Sequence, residues 1–124
     1  MTFRQNTVGA SAGLILYSDS SNADFYYFLL GEDASYNFGV VQSSQFQQVL
    51  RSGLNNSVIR HEPGQTNQLA VVANDANFDL YVNGQHIDSV SDGAFTSGGI
   101  GVMAYDTTGK GVEVAFNNAK VWTM

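Results

Sequence analysis

Cysteine is absent from the 124-residue chain, so neither a disulfide framework nor a thiolate metal site can hold the fold together. Proline occurs once, at Pro63. Charge is scarce: Asp, Glu, Lys and Arg together make 13% of the residues, about half the usual share. Basic residues are scarcest, 5 against 11 acidic ones, giving a net charge of −6 without any basic cluster, which disfavours a phosphate-backbone partner such as nucleic acid. No apolar run approaches the roughly 18 residues that a membrane helix needs. Met1 to Ala10 lacks the basic-then-apolar order of a signal peptide. An exported form would have lost its signal or would belong to a longer parent chain.

What the chain does contain is apolar and uncharged polar material. A hydrophobic content of 44%, with 12% aromatic, supplies enough area for one core, and the length suits a single domain over residues 1–124. Nowhere do apolar residues recur at helical spacing over a dozen positions. Short alternating or continuous apolar runs, punctuated by Gly, Asn and Ser, recur about every ten residues instead, which predicts an all-β sandwich or barrel. Expected strands include Gly13 to Tyr17, Phe25 to Leu30, Asn37 to Val41, Phe46 to Leu50, Gln68 to Ala73, Gly99 to Ala104 and Gly111 to Trp122. Residues 52–67 read as a long connection around Pro63.

The clearest local pattern is Phe78-Asp79-Leu80-Tyr81-Val82-Asn83-Gly84-Gln85-His86-Ile87. Alternating apolar residues flank Asn83-Gly84, a pair suited to a type I′ turn because both central positions need positive φ. Phe78, Leu80 and Val82 then share one face and Asp79 and Tyr81 the other. In the last strand Val112, Val114 and Phe116 are in phase, and the phase slips after Asn117-Asn118, as a β-bulge would make it do. Leu80 and Phe116 are expected in the core.

The run from Asn67 to Trp122 resembles the C-terminal half of the concanavalin A-like lectin/glucanase superfamily, in particular bacterial laminin G-like jelly-roll modules. The resemblance rests on the Asn-Gly hairpin, the segment Ser97-Gly98-Gly99-Ile100-Gly101-Val102, and the final pattern in which Val114, Phe116, Asn118, Val121 and Trp122 recur. Upstream, Gly13-Leu14-Ile15-Leu16-Tyr17 and Asn22-Ala23-Asp24-Phe25-Tyr26-Tyr27-Phe28 look like the paired strands that precede this half in such modules. It implies an antiparallel jelly-roll β-sandwich, concanavalin A-like, on an extracellular or cell-surface protein of bacterial type. Modules of this kind usually begin with a further strand pair, and here that pair is lacking. The expectation is that an oligomer or a partner strand completes the sandwich; the alternative is a compact variant with its own cover.

The superfamily includes lectins, adhesion domains and glycosidases, so function must be argued from residues. Its jelly-roll glycosidases carry a Glu-x-Asp-x-x-Glu strand, because the acid and the nucleophile face one bond about 5 to 5.5 Å apart. The only glutamates here are Glu32, Glu62 and Glu113, and none has a second carboxylate two positions along a strand. No nucleophile–base pair is read, since His61 falls in a loop and His86 beside a hairpin turn. The chain is therefore expected to be a non-catalytic recognition module rather than an enzyme, with a glycan or polysaccharide as ligand. A sugar ring needs an aromatic platform and planar polar groups beside it; Tyr81, Tyr26 and Tyr105, with Asp79 and Glu113, are the candidates. The alternative is a structural or adhesion subunit that self-assembles through an open sheet edge, and the third is a glycosidase-like enzyme. No cofactor is expected beyond a calcium ion, for which Asp19, Asp24 and Asp106 are the candidate ligands. The competing reading is that Asp19 and Asn22 cap a hairpin turn through side-chain bonds to backbone N–H groups.

Overall fold

The computed structural model describes residues 2–3, 10–19, 24–31, 33–42, 46–54, 57–60, 66–95, 98–106, 114–115 and 120–123, with side chains at 11–19, 24–31, 33–42, 48–54, 57–60, 66–95 and 98–102. Along the chain the strands are β1 (Thr2–Phe3), β2 (Ala10–Ser18), β3 (Phe25–Gly31), β4 (Tyr36–Gln42), β5 (Phe46–Gly53), β6 (Leu69–Asn74), β7 (Asn77–Val82), β8 (Gln85–Ser91), β9 (Gly99–Asp106), β10 (Val114–Ala115) and β11 (Lys120–Thr123). There is no helix among the described residues. Two sheets face each other, a five-stranded one in the order β5-β4-β3-β2-β9 and a four-stranded one in the order β11-β6-β7-β8, and β1 pairs separately with β10. The protein is a β-sandwich.

Alternation builds the four-stranded layer. Phe78, Leu80 and Val82 of β7, with Leu69, Val71 and Ala73 of β6, are buried, while the residues between them are half-buried or exposed. From the other layer come Ala12, Leu14 and Leu16 of β2, Tyr26, Phe28 and Leu30 of β3, and Tyr36, Phe38 and Val40 of β4, closing one apolar cluster between the sheets. Leu80 is fully buried, as expected, whereas Phe116 and the Asn117-Asn118 phase slip lie outside the described residues. β3 is apolar throughout because both of its faces are covered: Tyr27 and Leu29, which point away from this cluster, are also buried. The Tyr27 ring end lies directly on the Gly39 backbone, where any Cβ would collide with it.

The β7–β8 hairpin turns through Asn83 and Gly84 at φ 53° and 80°, as the Asn-Gly pair predicts. Asn83 also ties down Val58 and Asn67. Its N–H donates to the Gln68 carbonyl (2.8 Å), its Oδ1 accepts from the Gln68 N–H (2.9 Å), and its Nδ2 donates to the Val58 carbonyl (2.9 Å) and to Asn67 Oδ1 (3.0 Å). Asn67, 1% exposed, bonds both the N–H and the carbonyl of Arg60. The segment read as a long connection holds Ile59 and Asn67 in the interior, and β5 extends into it as far as Gly53.

Two departures follow from backbone geometry. β11 pairs with β6 in parallel, whereas every other described pairing is antiparallel. A parallel neighbour needs a long crossover, which the chain from β7 to β10 supplies. In β2, Tyr17 sits at φ 53° where the register with β9 slips between Leu16 and Ser18. That bulge turns inward a side chain that strict alternation would send outward. Tyr17 packs against Tyr26 and Phe78, which with Phe38 and Phe95 form a chain of aromatic rings at centroid distances of 4.8–6.1 Å.

Candidate functional site

Because Phe78, Leu80 and Val82 face the core, β7 presents Asn77, Asp79 and Tyr81 on the outer face of the four-stranded sheet. Tyr81 stands between Ala70 of β6 and His86 of β8, Asp79 between Val72 and Ser89, and Asn77 between Asn74 and Ser91. His86 and Ser89 are three residues apart, so in a regular strand they would point to opposite faces. The β7–β8 register shifts between Leu80 and Tyr81: Leu80 pairs with Asp88 and Tyr81 with His86, leaving Ile87 as the additional residue, which packs against the core. This bulge brings both polar side chains to one side.

The result is a row of cross-strand polar pairs beside one aromatic ring. The Ser89 hydroxyl donates to Asp79 Oδ1 at 2.6 Å, His86 Nε2 lies 2.8 Å from Ser89 Oγ and 3.4 Å from Asp79 Oδ1, and the Ser91 hydroxyl donates to Asn77 Oδ1 at 2.6 Å. The single Ser89 proton goes to the carboxylate, so Nε2 is the donor toward Ser89 Oγ. An activated nucleophile would require the opposite, a serine giving its proton to the imidazole. The trio is a hydrogen-bonding patch, with the Asp79 and His86 side chains about half exposed. The half-buried Tyr81 ring meets the His86 ring edge to face at 5.3 Å, and the half-buried Ala70 and Val72 form a low apolar shelf next to it. The sequence pattern placed Asp79 and Tyr81 on this face. It did not identify His86 and Ser89, because the bulge that aligns them leaves no mark in residue type.

The other expected site residues are not gathered here. Tyr26 is fully buried, a correction to its reading as a sugar platform: its ring sits among Tyr17, Phe38, Phe78 and Phe95. Its hydroxyl donates to Asp92 Oδ2 at 2.6 Å and accepts from the Phe95 N–H at 3.3 Å. Burial first, then this bond to Asp92, pushes the Tyr26 phenol up to about 12. Tyr105 belongs to β9 of the other sheet, its backbone paired with Ser11; its side chain lies outside the described residues, and Glu113 lies wholly outside them.

The three candidate calcium ligands are split between the ends of one sheet. Asp19 follows β2, and its Oδ1 accepts from the Asp24 N–H (3.4 Å) while its own N–H donates to the Asp24 carbonyl (3.1 Å), the turn-capping role that was the competing reading. The Asp106 backbone pairs with Ala10 at the far end of β2. Nine residues of extended chain separate Ala10 from Asp19, about 30 Å, so Asp106 cannot share an ion with Asp19 and Asp24. Among the described residues no three His, Cys, Asp or Glu side chains converge. Ser11, in Gly9-Ala10-Ser11-Ala12-Gly13, has the sequence spacing of a nucleophile elbow. It lies inside β2 with Gly31 and Tyr105 opposite, on an extended strand rather than at a sharp strand-to-helix turn.

No family model matches the chain, and no curated protein does. Among solved structures, the fold is similar to that of the carbohydrate binding module CBM66 from Bacillus subtilis, with a TM-score of 0.71 at 14% sequence identity over 84% of this chain. The match spans 62% of that module, so the bacterial structure contains a substantial portion with no counterpart in the aligned region. At this identity the likeness concerns the β-sandwich architecture alone.

Proposed function

We propose that the chain is a non-catalytic carbohydrate-binding module, a single concanavalin A-like, laminin G-like domain working outside the cell. Its ligand is an uncharged polysaccharide that lies on the outer face of the four-stranded sheet. The observation that carries this reading is the Tyr81 ring flanked by Asp79, His86 and Ser89 on one half-exposed face, in a fold matching a carbohydrate binding module. A pyranose or furanose ring would rest on Tyr81, and its hydroxyls would donate to Asp79 and exchange bonds with Ser89 and His86. Asp79 is the only carboxylate among the side chains described on this face. Residue composition supports the extracellular setting: few charges and many Gly, Ser, Asn and Gln.

Native affinity electrophoresis through gels containing single neutral polysaccharides tests the proposal. The wild-type chain is expected to be retarded by at least one of them. Tyr81→Ala, whose side chain is outside the core, should weaken binding by about five- to thirtyfold with its circular dichroism unchanged, in line with about 1 to 2 kcal/mol for one lost stacking contact. Retention that is indifferent to Tyr81→Ala would remove this face from the account.

A further inference from the structure

Asparagine followed directly by glycine occurs once in the chain, at Asn83-Gly84. The pair carries a chemistry as well as a turn. The backbone nitrogen of the following residue can attack the side-chain carbonyl carbon of an asparagine, and a glycine there puts no Cβ in the way. Gly84 is exposed, with no atom outside its own turn within 4 Å of the place a Cβ would take. The Asn83 carboxamide, by contrast, is pinned. Its Oδ1 accepts from the Gln68 N–H at 2.9 Å, and its two Nδ2 protons go to the Val58 carbonyl at 2.9 Å and to Asn67 Oδ1 at 3.0 Å. Asn67 is fixed in turn. Its Oδ1 also accepts from the Arg60 N–H at 2.9 Å and its Nδ2 donates to the Arg60 carbonyl at 2.7 Å, so its amide cannot flip without losing both bonds.

We infer that Asn83 is a self-modification site, a deamidation switch that the folded turn holds shut and that is released only when the carboxamide leaves Val58, Asn67 and Gln68. In the opened turn the Gly84 nitrogen bonds to Asn83 Cγ, the Cγ–Nδ2 bond breaks, and Nδ2 departs as ammonia, taking the Gly84 N–H proton. Water then opens the cyclic imide at either carbonyl and leaves aspartate or isoaspartate at position 83. No oxidant or reductant takes part. The closed turn blocks the first step, because turning Cγ toward Gly84 and releasing Nδ2 both break the three bonds that pin the carboxamide. The product cannot recover that closed turn. An oxygen in the place of Nδ2 sets an acceptor against two acceptors, the Val58 carbonyl and Asn67 Oδ1, and Arg60 keeps Asn67 from turning its own Nδ2 to meet it. Isoaspartate adds a further atom to the backbone path between β7 and β8, where register is set by the turn. Each opening that ends in reaction therefore loosens residues 58–60, with the buried Ile59, from the hairpin. The switch does not depend on sugar binding at Tyr81.

Peptide mapping by mass spectrometry tests this on the full chain, aged at mildly alkaline pH with and without denaturing guanidinium chloride. In denaturant Asn83 should convert first among the asparagines. In the folded chain it should convert at least about a hundredfold more slowly, since three hydrogen bonds must open together. Asn67→Ala, which removes one acceptor of Nδ2, should speed conversion in the folded chain by about tenfold. If that variant does not fold, the wild-type ratio and Asn83→Asp still decide. Asn83→Asp presents the product directly, and it should melt about 5 °C or more below the wild type with its circular dichroism unchanged. Conversion as fast in the folded chain as in denaturant overturns the inference. So does the absence of conversion at Asn83 in denaturant, a folded Asn67→Ala chain that converts at the wild-type rate, or an Asn83→Asp chain as stable as the wild type.

Discussion

Tyr26 shows how one side chain can join two layers and still look, in sequence, like a surface platform. Its ring fills the centre of the aromatic chain, and its hydroxyl reaches across to Asp92, beyond the end of β8 in the other sheet. The phenol is raised from 10.0 to about 12, so the folded state favours the neutral, protonated form. The resulting stabilisation is fully present below about pH 10 and is lost as pH rises through about 12. Tyr26→Phe should cost about 1 to 3 kcal/mol at neutral pH, because Asp92 and the Phe95 N–H each lose a partner. It should also flatten the alkaline limb of a denaturant midpoint plotted against pH; an unchanged limb would mean that Tyr26 does not carry it. Four of the six tyrosines, Tyr17, Tyr26, Tyr27 and Tyr36, are buried. Residue type alone could not separate them from Tyr81, because a phenol serves a core with a polar outlet as well as it serves a wet platform.

At the scale of the element, the hairpin around Asn83-Gly84 was legible because turn chemistry and alternation agree there. The site built on it was only half legible. Asp79 and Tyr81 follow from the alternation of β7, whereas His86 and Ser89 share their face only through the additional residue Ile87 in β8. Bulges carry no compositional signature when neither residue is glycine, and the same holds for Tyr17, which a second bulge turns into the core. The parallel β11–β6 pairing was equally hidden, since pairing direction is decided by the whole chain's path rather than by local pattern. Asn83 permits a quantitative test of the hairpin. Asn83→Gly keeps the positive φ without strain and loses only side-chain bonds, so it should destabilise by about 1 to 3 kcal/mol. Asn83→Ala adds left-handed strain and should cost about 1 kcal/mol more. Urea titration of both variants checks the order; equal stabilities would show that the turn geometry exerts no demand of its own.

Across the whole molecule, two sheets enclose one apolar cluster and leave the polar row of β7 and β8 on an outer face. The all-β class and the two-layer architecture were readable from run length and spacing. What the sequence could not supply was the strand order, which the path of the whole chain decides. The central claim is that sugar is bound on the outer face of β6, β7 and β8. The most direct test is an amide NMR titration of the full chain with the polysaccharide that retards it. The account predicts shifts concentrated at Ala70, Val72, Asp79, Tyr81, His86 and Ser89, absent in Tyr81→Ala. Shifts centred on the five-stranded sheet, or none with any neutral polysaccharide, would contradict it.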